Sequence, residues 1–389
     1  MTLFSIYVHP WDVADEGAST LLDYLCDAGI NELNLATSYH SGRFILPHNP
    51  TRRVYWAEEG VVYFAPSGEY RETPLRPRRC SEYSYSDILD SVCNGAADRD
   101  IGVNSWAVCL HNSAFASVHK NFALIDAFGT SDRNMLCPSH TETRNYIFSL
   151  VDDIARHSVR SIKLESAFFP QRIEHGDHHE VFGVNVDEVA SLLLTVCFCD
   201  SCVKRARDFG LNLNECRSQV RGIIDRHISG AAGSTSLKMN EEEADIIERI
   251  GSFRRNTARE ILAEARDHAH SAGVRLDCIL SPPRCNLADV RLPDIADTVD
   301  GTDVLLYYPS VKDVATGASE AGRMAAGRCD LSLVLRITFP FAYTPDRISD
   351  CIDSCVNAGA DGVAFYNYGW ATSELLSALA VEVRRRKVR

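Results

Sequence analysis

Short apolar segments alternate with helical patterns of apolar residues from one end of the chain to the other. Apolar and β-branched runs bounded by turn residues predict strands, and apolar residues at helical spacing predict the helices between them. The predicted strands span residues 4–9, 30–39, 102–110, 161–166, 274–280, 302–308, 331–339 and 362–368. Eight strands mostly separated by helices predict an α/β fold, a (β/α)8 TIM barrel. A doubly wound open sheet is the alternative, but no G-x-G-x-x-G turn follows any of these strands.

Helices are predicted in most of the connections between these strands. They span residues 17–28, 86–97, 141–157, 216–228, 241–272 and 345–358. Ser86 and Thr141 are predicted to cap two of them, because serine and threonine side chains accept hydrogen bonds from the free N–H groups of a first helical turn.

Two long segments exceed what a minimal barrel needs. Residues 40–80 carry prolines, glycines and aromatic residues and include a predicted hairpin at 54–64, turned at Glu59 and Gly60. Residues 170–272 carry a histidine-rich loop, a cysteine cluster and a block of helix. We therefore predict one barrel domain over residues 1–389, with loop insertions after strands two and four and a helical insertion before strand five. The helical insertion either covers the site or joins the subunits of a homo-oligomer.

The composition is that of an ordinary globular protein, with 45% hydrophobic and 24% charged residues. The formal net charge of −13 argues against a nucleic-acid partner or an anionic membrane surface, since both require a basic face. No window approaches the roughly 20 apolar residues that a membrane helix needs, and the N-terminal segment lacks the features of a signal peptide. Most of the 14 cysteines stand singly in apolar segments, which is typical of buried free thiols. The expectation is a cytoplasmic enzyme.

In a barrel of this kind the functional residues lie at the carboxyl ends of the strands. Those ends carry hydroxyls, imidazoles and aromatic rings, and Glu165 is a carboxylate that ends a strand. Aromatic faces stack on the apolar side of a sugar ring while polar groups bind its hydroxyls, so the pattern favours a carbohydrate substrate over a phosphorylated ligand. The predicted substrate-binding residues are His9, Trp11, Tyr39, His40, His111, Asn112, His178, His179, Tyr307, Tyr308, Arg336, Tyr366, Asn367 and Trp370.

These residues also have a purely structural interpretation. Glu165 is either a catalytic carboxylate or one partner of a buried ion pair with Arg336, and its strand-end position favours catalysis. The histidine-rich loop is either a solvated segment or a part of the site. His9, His40 and His111 are either satisfied core residues or contacts of the substrate, and their shared rim favours the second role.

A cysteine cluster follows the histidine-rich loop. Cys197, Cys199 and Cys202 are spaced C-x-C-x-x-C. Thiolates suit tetrahedral Zn²⁺, so these residues are candidate ligands of a structural zinc ion, with buried free thiols as the alternative.

A glutamate that ends strand four, followed by a loop and by C-x-C-x-x-C, resembles the family 42 β-galactosidases and related clan A glycoside hydrolase barrels. The segments SYHSGRFILPHNP and AGADGVAFYNYGW also resemble pieces of uncharacterised glycosidase-like barrel proteins. The resemblance implies that Glu165 is the general acid/base of a glycosidase that needs no cofactor for catalysis. It also implies that Cys197, Cys199 and Cys202 bind a structural zinc ion with a fourth cysteine from upstream. That fourth ligand is Cys137 or Cys109.

The sequence departs from the clan A pattern at two strands. Leu164 precedes Glu165 where these enzymes usually have asparagine, and strand seven has Arg336 and Thr338 but no carboxylate. Glycoside hydrolysis ordinarily uses two carboxylates, roughly 5 Å apart for retention and further apart for inversion. The candidates for the second are Glu174, Asp177 and Glu180 in the loop after strand four, with Asp12 and Asp277 as alternatives. An inverting mechanism and a loss of hydrolytic activity are both compatible with this pattern.

Three functional classes follow from these residues. The favoured class is a glycoside hydrolase acting on a small glycoside or oligosaccharide, with Glu165 protonating the leaving oxygen. The second is a metal-dependent sugar isomerase or epimerase that uses His111, Glu165, His179 or Glu180 with a divalent ion. The lack of carboxylates at the tips of strands five to eight weighs against it. The third is a carbohydrate-binding barrel without catalysis, which the missing carboxylate on strand seven favours.

Overall fold

A closed barrel of eight parallel strands forms the centre of the molecule. The computed structural model describes residues 2–84, 87–173, 186–229, 239–281 and 290–387. The barrel strands are β1 (Leu3–Val8), β2 (Glu32–Tyr39), β3 (Gly102–Val108), β4 (Ser161–Glu165), β5 (Arg275–Leu280), β6 (Gly301–Leu305), β7 (Asp330–Arg336) and β8 (Gly362–Tyr366). Each strand pairs with the next barrel strand in the chain, and β1 also pairs in parallel with β8, which closes the cylinder. The predicted (β/α)8 TIM barrel is confirmed.

Helices lie in the connections between the barrel strands. They are α1 (Pro10–Glu16), α2 (Ala18–Ala28), α3 (Ile88–Ala97), α4 (Ser113–Val118), α5 (Thr141–Ile154), α6 (Glu188–Leu193), α7 (Asp200–Asp208), α8 (Leu213–Ser229), α9 (Glu241–Ser271), α10 (Leu292–Ile295), α11 (Val311–Ala325), α12 (Pro345–Asn357) and α13 (Ser373–Lys387). Short strands outside the barrel are Gly42–Ile45, Val54–Ala57, Val61–Val62, Arg78–Arg79, Ala123–Ile125 and Ser131–Leu136. Apolar residues at helical spacing bury one face of the longer helices, as Leu21, Leu22 and Leu25 do in α2.

Both predicted helix caps are wrong. The helix α3 begins after Asp87, whose side chain accepts a hydrogen bond from the backbone N–H of Asp90 at 3.1 Å, and Ser86 lies outside the described residues. The helix α5 begins after His140, so that Thr141 is its first helical residue. At the start of α3 the carboxylate of Asp87 both accepts the hydrogen bond and interacts favourably with the helix dipole.

The segment between β2 and α3 does not form the predicted hairpin. Val54–Ala57 pairs antiparallel with Gly42–Ile45, so that Phe44 lies opposite Tyr55 and both rings are buried. Val61–Val62 pairs instead with the end of β2. Pairing with the barrel buries both valines, whereas a surface hairpin would expose alternate side chains to water.

The block of helix predicted before strand five is present as α6 to α9. The longest of these helices, α9, begins with reciprocal hydrogen bonds between Asn240 and Glu243, at 2.9 Å and 2.7 Å, which satisfy two free N–H groups of the helix start. None of the helices in the described parts of the chain is both long and apolar enough to cross a membrane.

The centre of the barrel holds a buried charged pair. Lys163 on β4 and Asp303 on β6 are 4% and 1% exposed, and the lysine Nζ lies 2.7 Å and 2.9 Å from the two carboxylate oxygens of Asp303. Tyr7 on β1 donates its hydroxyl proton to Asp303 Oδ2 at 2.6 Å. Burial alone would lower the pKa of Lys163, but the charges of Asp303 and Asp277 outweigh burial and raise it. The ammonium is therefore charged at neutral pH, and these hydrogen bonds join three strands across the barrel.

Replacement of Lys163 with methionine is expected to destabilise the fold by about 3–5 kcal/mol, because Asp303 then stays buried without its partner. Combining Lys163→Met with Asp303→Asn is expected to restore most of the lost stability, since asparagine is uncharged and still accepts the hydrogen bond from Tyr7. Denaturant unfolding of the wild type and both variants measures these differences. A single variant within about 1 kcal/mol of the wild type would show that the pair does not hold the barrel together.

Candidate active site

Glu165 is the last residue of β4 and lies at the mouth formed by the carboxyl ends of the strands. Its Oε2 accepts a hydrogen bond from the indole Nε1 of Trp106 at 2.5 Å. Trp106 belongs to the neighbouring strand β3, in which Val108 is the register partner of Glu165. The indole is a neutral donor, so it orients the carboxyl group without supplying a counter-charge.

Tyrosine side chains surround Glu165. The ring of Trp106 lies 4.9 Å from that of Tyr39 and 5.9 Å from that of Tyr366, and Tyr307 lies 5.5 Å from Tyr366, all between ring centroids. Burial is the main cause that raises the pKa of each of these three phenols, and the charge of Glu165 contributes to the same shift. The phenols are therefore protonated at neutral pH. Tyr39 is buried and hydrogen-bonded to Tyr366, whereas Tyr307 and Tyr366 are half-buried and can donate hydrogen bonds to sugar oxygens.

His40 and His111 stack on each other beside Tyr39. Their ring centroids are 4.6 Å apart, and the ring of His40 lies 4.3 Å from that of Tyr39. The Nδ1 of His40 lies 2.7 Å from the carbonyl oxygen of Ser41, so the hydrogen bond places a proton on this nitrogen. Burial lowers the pKa of His111, which is therefore neutral at physiological pH. The two imidazoles extend the aromatic wall of the mouth.

Arg336 ends β7, where a clan A barrel would carry its nucleophile. Its guanidinium lies 4.7 Å from the ring centroid of Phe341 and 5.2 Å from that of Trp370, and its Nε donates to the hydroxyl of Thr338 at 3.2 Å. Within the described part of the chain Arg336 forms no ion pair, so the alternative pairing with Glu165 is not formed. The end of β7 therefore presents a cation to the mouth.

Five of the residues predicted to bind substrate lie beneath the mouth or behind it. His9, Trp11 and Asn367 are 0% exposed, and the rings of His9 and Trp11 stack at 4.3 Å. Burial lowers the pKa of His9 to about 3, so its imidazole is neutral. Asn112 is buried and accepts a hydrogen bond at the start of α4, and Tyr308 packs against α11. These side chains support the wall of the site, and their predicted contacts with a sugar remain predictions.

The histidine-rich loop after β4 lies outside the described residues. This loop carries the predicted second carboxylates and two predicted sugar contacts, Glu174, Asp177, His178, His179 and Glu180. Their roles stay predictions.

The two alternative carboxylates are not exposed at the mouth. Asp277 lies in the amino-terminal half of β5 and lines a cavity with Gly301 and Ser332, at the end of the barrel opposite Glu165. Asp12 is fully buried in α1, where it accepts a hydrogen bond from the backbone N–H of His9 at 3.1 Å. Asp12 therefore caps a helix rather than facing the mouth.

Replacement of Asp12 with asparagine is expected to change how stability depends on pH. Burial raises the pKa of Asp12 from 3.8 to about 7. Because the folded pKa is the higher one, the stability linked to this group is present at low pH. It is lost as the pH rises from about 4 to about 7, at most about 1.4 kcal/mol per pH unit. Asparagine keeps the acceptor for His9 without ionising, so the variant should gain stability relative to the wild type across this interval. Unfolding free energies at about pH 4, 5.5 and 7 test the expectation, which a pH-independent difference would contradict.

Four cysteines lie together outside the barrel, between the strand pair that follows α4 and the start of α7. The sulfur atoms of Cys137, Cys197, Cys199 and Cys202 are buried and lie within 4.8 Å of one another. Two of the sulfur–sulfur distances are 3.3 Å and 3.6 Å, close to the roughly 3.8 Å expected for thiolates about 2.3 Å from a tetrahedral Zn²⁺. Cys109 lies at the end of β3, so Cys137 is the cysteine that completes the group.

The four sulfurs lie among hydrogen-bond donors. Backbone N–H groups of Ile125, Ser139 and Cys202 donate hydrogen bonds to sulfur atoms of the group at 3.3–3.4 Å. Hydrogen bonds from the neighbouring thiols, that of Cys137 first, lower the pKa of Cys199, while burial raises the pKa of Cys137. Four converging sulfurs with such donors fit a zinc ion.

A second set of metal-binding side chains in the described ranges consists of Asp87, Asp90 and His157. The imidazole Nδ1 of His157 lies 2.6 Å from Asp90 Oδ1, where α3 meets the residues that follow α5. Neither this set nor the thiol group lies at the mouth. The described residues therefore give the isomerase alternative no metal site, and it would depend on the histidine-rich loop.

Trp106 and Phe341 are residues of the site that sequence reasoning missed, and Trp106 is the one that contacts Glu165. Trp106 lies inside a correctly predicted strand, two positions from Asn104 and Val108, so the two-residue alternation of a strand could have placed its side chain inside the barrel. The alternation does not show that it reaches Glu165, because that contact depends on the register between β3 and β4.

The barrel resembles solved glycoside hydrolase structures, whereas no protein-family model and no curated protein matches the sequence. The glycoside hydrolase domain of PgaB (BpsB) from Bordetella bronchiseptica matches with a TM-score of 0.63 and 11% identity, over 98% of this chain and 99% of that one. The β-galactosidase of the psychrophilic Marinomonas ef1 matches with a TM-score of 0.60 and 11% identity, over 100% of this chain and 60% of that one. α-L-Fucosidase isoenzyme 2 from Paenibacillus thiaminolyticus also matches with a TM-score of 0.60 and 11% identity, over 100% of this chain and 50% of that one.

These similarities establish the fold. The chain spans 60% and 50% of the lengths of the β-galactosidase and the fucosidase. At identities of 11% this chain shares the barrel fold of these glycoside hydrolases, and the similarity does not point to a particular family.

Proposed function

We propose that the protein is a glycoside hydrolase acting on a small glycoside or oligosaccharide, with Glu165 as the general acid. The observation that carries the proposal is the carboxyl group of Glu165 at the mouth of the barrel, held by Trp106 at 2.5 Å and enclosed by tyrosines. A glycosidic oxygen must gain a proton as it leaves, and a carboxyl group among aromatic rings is suited to provide it. The glycoside hydrolases with similar barrels support the class of reaction and leave the sugar open.

The second carboxylate is assigned to the histidine-rich loop, at Glu174, Asp177 or Glu180. In the proposed inverting reaction, Glu165 gives its proton to the leaving oxygen while the loop carboxylate takes a proton from the attacking water. Water adds to the anomeric carbon as the glycosidic bond breaks, which releases a sugar and an alcohol. Both carboxyl groups then return to their starting states by exchange with solvent.

The aromatic wall is assigned to substrate binding. The half-buried phenols of Tyr307 and Tyr366 are protonated and can donate hydrogen bonds to sugar oxygens, and Trp370 adds an aromatic ring 5.2 Å from that of Tyr366. Phenol hydroxyls beside aromatic rings are suited to the hydroxyls and the apolar faces of a sugar ring.

Hydrolysis of a broad panel of glycosides, before and after treatment with a chelator, tests the proposal. Turnover that persists after chelation supports a carboxylate mechanism and contradicts the metal-dependent isomerase. Proton NMR of the first anomer released distinguishes retention from inversion. Sugar binding without turnover would instead favour the non-catalytic barrel, for which Arg336 at the end of β7 is the supporting observation.

We also propose that the four-cysteine group holds one structural Zn²⁺. The support is the convergence of four buried sulfur atoms within 4.8 Å of one another. When bound, the ion would cross-link the residues that follow the strand Ser131–Leu136 to the start of α7. It would take no part in the chemistry at Glu165.

A further inference from the structure

A groove lies beside the mouth, and Arg336 is part of its lining. Its volume is about 710 Å³, within the roughly 300–1,000 Å³ typical of small-molecule sites. Its lining includes Arg43 and Phe44 of the strand Gly42–Ile45, Arg336 at the end of β7 and Trp370 in the segment after β8. The groove therefore adjoins the candidate active site and is large enough for further sugar rings.

Aromatic rings hold the guanidinium of Arg336. It lies 4.7 Å from the ring centroid of Phe341, 5.2 Å from that of Trp370 and 6.0 Å from that of Tyr307, distances at which an aromatic ring attracts a cation. Its Nε donates to Thr338, while its two terminal nitrogens make no hydrogen bond or ion pair within the described ranges of the chain. Stacking therefore positions a planar fork whose two terminal nitrogens meet no acceptor among the described residues.

The charge of the groove is positive although the chain carries a formal net charge of −13. Arg43 is exposed and lies over the ring of Trp56 at 5.4 Å, so it adds a second cation to the lining. Glu374 is the acid among the described lining residues. A hydrogen bond with Thr372 lowers the pKa of Glu374, so part of its hydrogen-bonding capacity is already used at the start of α13.

We propose that the groove binds the carboxylate of a uronic-acid residue in the substrate, with Arg336 as the residue that binds it. This inference rests on the proposed glycosidase function and names its substrate class. The guanidinium fork matches a planar carboxylate through two parallel hydrogen bonds, and the surrounding rings offer faces for the sugar. The hydroxyls of a neutral sugar can also accept hydrogen bonds from Arg336, but only an anionic group forms charge-assisted bonds, which are about twice as strong.

Binding measured in the Glu165→Gln protein by calorimetry tests this assignment, because the substitution suppresses turnover. The probes are oligosaccharides of glucuronic, galacturonic and mannuronic acid, the same oligosaccharides after reduction of their carboxyl groups, and sulfated galactan oligosaccharides. We expect at least one uronate to bind about tenfold or more tightly than its reduced form, in line with a charge-assisted bidentate contact. Adding Arg336→Met should remove this preference, and adding Arg336→Lys should keep only part of it.

Arg323→Met is the matched control, because Arg323 is exposed on α11 and its loss changes the net charge equally. Unfolding curves of each variant confirm that it is folded. Any of four results overturns the assignment. Acidic and reduced oligosaccharides bind equally well, or the preference for the uronate survives Arg336→Met. Alternatively, the sulfated sugars bind more tightly, or no uronate binds.

Hydrolysis by the wild type separates this assignment from the proposed function. Glu165-dependent hydrolysis of neutral glycosides together with no uronate binding would leave the function standing and overturn the role of Arg336. If the wild type hydrolyses no glycoside but uronate binding is still lost in Arg336→Met, the role of Arg336 stands and the proposed function is overturned.

Discussion

Replacing Glu165 with glutamine is expected to lower kcat/KM for the best glycoside substrate by about 10²–10⁴-fold, the usual contribution of a general acid. Glutamine keeps the size of the side chain and can still accept the hydrogen bond from Trp106. It has no acidic proton for the leaving oxygen, so the loss should fall on catalysis rather than on the fold. Initial rates over a range of substrate concentrations, with thermal unfolding as the check on folding, measure both effects.

The size of the loss should depend on the leaving group. A 4-nitrophenolate departs with little help from an acid, whereas a sugar alcohol needs the proton, so oligosaccharides should lose more activity than 4-nitrophenyl glycosides. Glu320→Gln is the matched control, since Glu320 is half-buried on the outer helix α11 and should leave the rates unchanged. Full activity in the Glu165→Gln protein, or equal losses for both kinds of leaving group, would contradict the acid role.

The second large effect is expected at the four-cysteine group. The wild type should contain about one zinc ion per chain, and Cys137→Ser or Cys202→Ser should remove most of it, because a hydroxyl does not replace a thiolate ligand. Structural zinc contributes directly to folding, by up to about 10–16 kcal/mol in small zinc-finger peptides, and the barrel core limits the loss here to a fraction of that. Elemental analysis and unfolding with and without a chelator measure both quantities.

Cys355→Ser is the matched control for the zinc experiment. Cys355 is 0% exposed, as is Cys202, but it lies in α12 away from the group. The Cys355→Ser protein should lose some stability through burial of a hydroxyl while keeping its metal. A wild type that holds no zinc when prepared with zinc present, or a Cys202→Ser protein with full metal content, would contradict the proposal.

Much of the fold follows from local pattern. Strands of a parallel barrel are covered on both faces, so β7 and β8 appear in the sequence as nearly continuous apolar runs. The rule that catalytic residues gather at strand ends then singled out Glu165. The resemblance to clan A barrels implied Cys137 or Cys109 as the fourth ligand, and the sulfur of Cys137 converges with the other three. Several strands end a few residues before the predicted limits, because apolar residues continue past the last position that pairs with a neighbouring strand.

Other features depend on contacts between distant segments. The local sequence around Val61 and Val62 is compatible with a hairpin. Their actual partner is the end of β2, Ser38 and Tyr39, which extends past the residues that pair with β1. Lys163 and Asp303 lower the apolar character of their strands, and their pairing requires the barrel to be closed. The contact between Trp106 and Glu165 likewise depends on strand register, which the sequence pattern does not specify.

The buried hydrogen bonds at the centre also restrict how the barrel can assemble. Lys163 and Tyr7 belong to its first four strands, whereas Asp303 belongs to the last four. A half-barrel made of β1 to β4 would bury the ammonium of Lys163 without the carboxylate it contacts, and one made of β5 to β8 would bury the carboxylate of Asp303 without its donors. Neither half-barrel can form a dry interior alone, so we expect the two halves to unfold together in one cooperative transition, and fragments cut between them to fold only when mixed.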